Sequence, residues 1–207
     1  MLGRSSQFAI VASKLAIKDA GLKLNQSVRS KTAVCLGMTM AEMLLLEGYL
    51  DKGILSTNGV NERNISSFYP ASSVPANVAR ALKICGHNLN FSTACASGNY
   101  SIGYAYDLIK NNRVELALAG GSDAISRIVF TGFSRLLAVA PRKCQPFDKN
   151  RKGIIPAEGA GVLVMESLES ALKRKIPIYA EIVAYGLSAD ARHMTDPDEN
   201  GVVKAIV

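Results

Sequence analysis

Apolar positions near the start of the chain fall at helical spacing. Phe8, Val11, Ala12 and Leu15 form one such series, and Gly21 follows where a helix stop belongs, so a helix is predicted to end at "DAGL". "KTAVCLG" is predicted to be a buried strand and "AEMLLLEGYL" a helix. "SSVPANVARALKI" is a further helix, with Ser or Asn available to cap it. "LNFSTA" reads as a short strand leading into a helix that starts after Cys95. "VELALAGG" alternates small and branched residues and closes on two glycines, which suits a buried strand. "GAGVLVMES" and "IYAEIVAYGLS" are two more strand candidates, separated by the helical, basic stretch "LESALKRK". "ENGVVKAIV" is a helix that stops in mid-pattern. The succession of β, α and β elements predicts an α/β fold. No repeat, low-complexity tract or linker marks an internal boundary.

Composition narrows this picture. At 207 residues and 48% hydrophobic content, the chain can bury a core as one domain or as a large half of a bigger fold. The four cysteines lack C-x-x-C spacing. Cys35 and Cys85 lie in apolar segments, where a buried, inert thiol is expected, and a reducing cytosol is the natural compartment. Lys14 and Lys18 interrupt the first helix, which therefore lacks the apolar centre of a signal peptide. The longest uncharged run, 88–106, is rich in Asn, Ser, Thr and Gly, against a membrane span. A soluble, cytoplasmic protein is expected. The net charge of +7 gathers partly at Arg135, Arg142, Lys143, Lys149, Arg151 and Lys152, opposed there by Asp148. The charge admits nucleic acid, an anionic membrane or an acidic protein as partner; no nucleic-acid motif accompanies the cluster, and a solvated face is the alternative reading.

The candidate chemistry lies at "STACASG". If the strand ends at Ala94 and the helix begins after Cys95, the thiol faces unpaired backbone N–H groups and the positive helix end, which favour thiolate. A free thiol has a pKa of about 8.5, and a downward shift of about two units would make thiolate the main species at neutral pH. Ala94, Ala96, Ser97 and Gly98 are small enough for a sharp strand-to-helix turn that exposes its tip. A structural cysteine in a core is the competing reading of this segment.

"STACASG" is followed by "VELALAGGSDA", "CQPFDKNRKGIIPAEGAGVLVMES" and "YAEIVAYGLSADARHMTDPDENG". This ordered series resembles the β-ketoacyl-acyl-carrier-protein synthases, and the likeness covers nearly the whole chain. "AIVASKLAIKDAGL" also resembles the family's helix before its second strand. The resemblance implies a thiolase-like layered α/β/α/β/α architecture, present here mainly as its N-terminal half. It implies that residues 1–207 are a β-ketoacyl synthase N-terminal domain, truncated at both ends. It implies that Cys95 accepts an acyl group from a carrier protein as a thioester, that a malonyl-carrier partner is then decarboxylated to a carbanion that attacks it, and that no cofactor or metal takes part. Acyl carrier protein and a second copy of the chain, paired along "LNFSTA", are the implied partners, with neither nucleic acid nor membrane among them. Met40 in "GMTMAEM" and Phe133 in "TGFSR" match apolar family positions near the nucleophile, and either could shape the acyl pocket or simply fill core.

One departure matters. The family's two catalytic histidines lie in H-G-T and G-H motifs that this sequence lacks, and its only histidines are His87 and His193. His87 is expected to serve a turn, and His193 matches a position outside the catalytic pair. Glu158, Asp190 and Asn200 are expected to tie loops together, with Asp190 and His193 as a polar support near the site. The chain alone is therefore expected to lack full condensing activity. Competing identities are a thiolase-type coenzyme A acyltransferase, a non-catalytic dimer partner and a nonfunctional gene fragment. "PFDKNRKG" with "EGAG" favours the synthase over the thiolase, and retention of Cys95 counts against a specialised non-catalytic partner.

Overall fold

The computed structural model describes residues 2–51, 68–193 and 196–206. Its centre is one four-stranded sheet of β1 (Thr32–Gly37), β2 (Asn88–Phe91), β3 (Leu116–Asp123) and β4 (Gly159–Glu166), in the order β2-β1-β3-β4. β1 is parallel to β2 and to β3, while β4 runs antiparallel to β3. Parallel neighbours need long crossovers. Between β1 and β2 the chain forms α3 (Met43–Asp51) and α4 (Ser73–Leu82), and between β2 and β3 it forms α5 (Ser97–Lys110).

Period-two alternation sends side chains from each inner strand to both faces. Val34 and Leu36 of β1 and Leu118 of β3 pack with Ala9 and Ile10 of α1 (Arg4–Asp19) and Val74, Val78 and Leu82 of α4. Ala33, Cys35, Ala117 and Ala119 face the other way, against Ala105 and Leu108 of α5. Small strand residues on this second face let α5 lie close to the sheet. All six β1 residues are buried, because helices cover both faces. The result is an α/β/α arrangement, in agreement with the expected class: one sheet and its two helical layers.

Most predicted elements appear, including β4, α7 (Leu168–Arg174) and α8 (Glu199–Ile206). Gly21 does end α1, at φ +58, with the Leu22 N–H returning to the Ile17 carbonyl at 3.0 Å. The predicted α1 face is rotated, however. Ser5, Ser6, Ala9, Ile10 and Ser13 are buried, whereas Val11 and Leu15 are more than half exposed. A close helix-to-sheet approach selects the small-residue face, which apolar periodicity does not register. At the start of α4, Ser72 makes no side-chain cap, and the Ser73 hydroxyl instead donates to the Phe68 carbonyl at 2.9 Å. Among the described residues two helices were not predicted: α2 (Gln26–Ser30), capped by the Asn25 carboxamide on the Val28 N–H, and α6 (Arg127–Arg135), capped by Ser126 on the Val129 N–H.

The predicted strand "IYAEIVAYGLS" is not one. Residues 176–190 take no regular structure. A strand exists only where a neighbour pairs its backbone. Here side chains hold the segment: the Tyr106 hydroxyl donates to the Val183 carbonyl at 3.0 Å, and the Tyr185 hydroxyl donates to Asp107.

Candidate active site

β2 ends at Phe91, three residues earlier than expected, and Cys95 sits in a short 3₁₀ turn, Ala94–Ala96, before α5. Ala94 takes φ +49, a conformation that costs a non-glycine residue roughly 1–3 kcal/mol and persists only where the surroundings over-determine it. They do so here. The Ser97 hydroxyl accepts the Thr93 N–H at 2.9 Å and lies 2.7 Å from the Ala94 carbonyl, and the Ala96 N–H donates to the Thr93 carbonyl at 3.1 Å. Below the turn, glycines on β1 and β3 leave room for backbone contact. A Cβ on Gly37 would fall 2.1 Å from the Ser97 carbonyl, and one on Gly121 would fall 2.8 Å from the Gly37 carbonyl oxygen. The Ser101 hydroxyl accepts the Gly120 N–H at 3.1 Å and lies 2.7 Å from the carbonyls of Gly120 and Gly98. This seat turns Cys95 outward, and the residue is exposed.

The other cysteines differ. Cys35 is fully buried in β1, and burial pushes its thiol up to about 12, so it stays protonated and inert as expected. Cys85, expected to be buried, is exposed. It follows Lys83, whose φ of +56 turns the chain out of α4, and its thiol lies 3.6 Å from the Lys83 carbonyl. Cys144 is exposed in the loop between α6 and β4.

The residues that precede Met40, and not Met40 itself, meet the Cys95 turn and the strand before it. The Met38 N–H donates to the Phe91 carbonyl at 2.9 Å, and the Thr39 hydroxyl lies 3.5 Å from that of Ser97. Met40 itself is partly exposed. Phe133 is half-buried on α6, whose first turn is held by the buried Glu47 of α3: its carboxylate accepts the N–H groups of Arg127 at 3.1 Å and Ile128 at 2.8 Å. Among the described residues no hydrogen bond or ring contact joins Phe133 to the Cys95 turn.

His87 acts through its backbone, its carbonyl accepting the Val34 N–H at 2.8 Å where β1 meets β2. Glu158 does tie loops, joining Arg4 and accepting the Ile125 N–H at 3.3 Å. Asp190 accepts the N–H groups of Arg192 at 3.0 Å and Asp198 at 2.7 Å, and these bonds hold its carboxyl below the usual range. Asn200 contributes its backbone N–H, to Asp198 at 2.9 Å. Asp190 and His193 share an open cleft of about 730 Å³ with Arg192, Gly201 and Val202, but the residues lining it do not include Cys95. The six clustered cations are all exposed, and Asp148 is engaged locally, accepting the Asn150 N–H at 2.7 Å and the Gln145 side-chain amide at 3.2 Å. Among the described residues no helix is long and apolar enough to cross a membrane.

An exposed cysteine on a strained turn, seated on glycines between a parallel strand and a helix, is placed where it can meet a substrate as a nucleophile. Known proteins are similar to this chain over nearly its whole length. Staphylococcus aureus 3-oxoacyl-[acyl-carrier-protein] synthase 2 is 36% identical over 97% of this chain and 51% of its own length. Nodulation protein E of Rhizobium meliloti is 35% identical over 99% of the chain and 51% of its own length. Among solved structures, the ishigamide ketosynthase/chain length factor superposes with a TM-score of 0.88 at 39% identity, covering 99% of this chain and 51% of that one. A β-ketoacyl synthase from Burkholderia phymatum superposes at 0.85 with 32% identity, covering 99% and 53%. The chain thus spans about half the length of the relatives it matches. Residues 1–171 match the family described as "Beta-ketoacyl synthase, N-terminal domain", and the chain belongs to that family.

Proposed function

We propose that this chain is the acyl-accepting part of a β-ketoacyl-acyl-carrier-protein synthase, with Cys95 as nucleophile. The observation that carries the reading is the Cys95 turn: an outward thiol on a backbone that glycines and hydroxyls hold in one conformation. The Cys95 thiolate attacks the carbonyl of an acyl-carrier thioester, and the tetrahedral intermediate collapses to an acyl-cysteine as the carrier thiolate leaves. Oxyanion stabilisation at such a turn comes from backbone N–H groups. Condensation then requires decarboxylation of a malonyl thioester, and the family's H-G-T and G-H histidines have to come from sequence other than these residues.

Met40, which follows the Thr39 contact with Ser97, and Phe133 shape the acyl pocket in this reading. An acidic acyl carrier protein docks on the exposed cations from Arg135 to Lys152. A second copy of the chain pairs through β2, which has one neighbour, β1, in the sheet, and sedimentation showing a lone folded monomer at tens of micromolar would remove that pairing. The working compartment is the cytoplasm, and residues 1–207 act as one domain.

Intact-mass analysis after incubation with an acyl-carrier thioester tests the assignment. One acyl adduct is expected, lost in Cys95→Ser. Reversing Arg135 and Lys143 to Glu should slow acylation from the carrier-bound donor and leave a small free thioester nearly unaffected, because exposed charges steer a charged partner and are screened beyond about 8 Å at physiological salt. An adduct on another residue overturns the nucleophile. Equal losses with both donors overturn the docking surface.

A further inference from the structure

We propose that Glu42 is a positioning residue that sets the length of the acyl chain accepted at Cys95, an inference that rests on the acyl-acceptor reading above. Glu42 is 1% exposed. One carboxylate oxygen, Oε1, accepts the Ser6 N–H at 2.8 Å in the first turn of α1. The other, Oε2, is buried and has no hydrogen-bond partner among the described residues. A carboxylate is disfavoured in such a place unless something compensates, and the positive end of α1 does so. The charge thereby pulls residue 42 against α1. A second tie runs beside it: the buried Ser5 hydroxyl donates to the Ala41 carbonyl at 2.6 Å, with Ala41 at φ +40.

Met40 sits between two anchors. On one side Thr39 reaches the Ser97 hydroxyl of the Cys95 turn, and on the other Ala41 and Glu42 are fastened to α1. The position of Met40 relative to the thiol therefore depends on where Glu42 is held. Gly3 supplies an independent sign that the carboxylate has reserved space. A Cβ there would lie 1.9 Å from Oε2 and 2.3 Å from Cδ of Glu42. Its φ of −72 and ψ of 170 suit any residue, so glycine is needed for room and not for backbone freedom.

The test compares initial rates of Cys95 acylation from butyryl and dodecanoyl carrier thioesters, followed by intact mass on the full chain. Glu42→Ala frees Met40 to swing aside and should raise the dodecanoyl-to-butyryl ratio about tenfold, within the range that small changes in an apolar pocket produce. Gly3→Ala alone pushes on the carboxylate and should move the ratio, but should add nothing in the Glu42→Ala background. Ser5→Ala, which cuts the neighbouring tie and keeps the charge, should raise the ratio about threefold and serves where Glu42→Ala does not fold. Equal rate changes with both donors, or an effect of Gly3→Ala that is the same with and without Glu42, would overturn the positioning role alone. A wild-type chain that neither donor acylates would overturn the acceptor reading and this inference with it.

Discussion

The Cys95 turn and the segment from residue 178 to 188 both lie outside regular strand and α-helix, yet they are held by opposite means. The turn rests backbone on backbone, with Gly37 beneath Ser97 and hydroxyls closing the remaining gaps. The segment is tethered by side chains. Tyr179 donates to Asp19 at 3.0 Å, Tyr185 donates to Asp107, and the Tyr185 ring stands edge-on to Tyr106 with centroids 6.2 Å apart. Tyr179 is 85% and Val183 76% exposed. Backbone contact leaves no rotamer to yield, so it can aim one thiol. Side-chain tethers can be exchanged one at a time, so they suit a strap across α5.

The largest effect should come from Gly37→Ala. Its methyl would meet Ser97 backbone at 2.1 Å, which no rotamer change relieves, and denaturant titration should show a loss of about 3 kcal/mol with slower Cys95 alkylation. Gly103→Ala makes the matching test on the strap, because its Cβ would fall 2.6 Å from the Tyr185 ring, which can swing away. It should cost about 1 kcal/mol and leave Cys95 labelling unchanged. Similar losses in the two variants would erase the distinction.

Thiol mapping sharpens the comparison next. Cys85, Cys95 and Cys144 are all exposed, so exposure alone predicts equal alkylation, whereas the seated turn predicts that Cys95 reacts first. Faster labelling of Cys85 or Cys144 in the folded chain would contradict it. Cys35 should label only on unfolding. Its thiol is raised to about 12, so its neutral burial adds stability below the ordinary cysteine range, and that contribution is lost as pH rises toward about 12.

The smallest effect concerns the Tyr185 tether. The bond to Asp107, with burial and nearby charge, raises the phenol to about 12. A phenol donates only while protonated, so the tether holds below the ordinary tyrosine pKa of about 10 and is lost as pH rises toward about 12. Limited proteolysis within 178–188 should quicken across that window. Tyr185→Phe should give about threefold faster cleavage at neutral pH and weaken the pH dependence, leaving the part carried by the Tyr179–Asp19 bond. Unchanged cleavage in Tyr185→Phe would show that the Tyr185–Asp107 bond does not hold the strap.

Several elements were legible because their signals are local. β1 and β3 are covered on both faces, so "TAVCLG" and "LALAGG" carry continuous apolar or small residues, and Gly21 marks the end of α1 wherever the helix packs. The α/β class and the small residues around Cys95 were readable for the same reason. The tight seat was not, since Gly37 and Ser97 are sixty residues apart in sequence and their contact has no local signature. Nor were Glu42 and Glu47, two carboxylates in one apolar stretch that cap different helices, α1 and α6.

The sequence by itself determined which segments prefer helix or strand, the family to which they belong and the identity of the nucleophile candidate. The tertiary structure decided which face of α1 is buried, that "IYAEIVAYGLS" finds no strand to pair with, that Cys85 is exposed and that β2 stops at Phe91. Backbone preference and side-chain periodicity act over a few neighbouring residues. A sheet ladder, a buried face and the aim of one thiol depend on partners brought together only when the chain has folded.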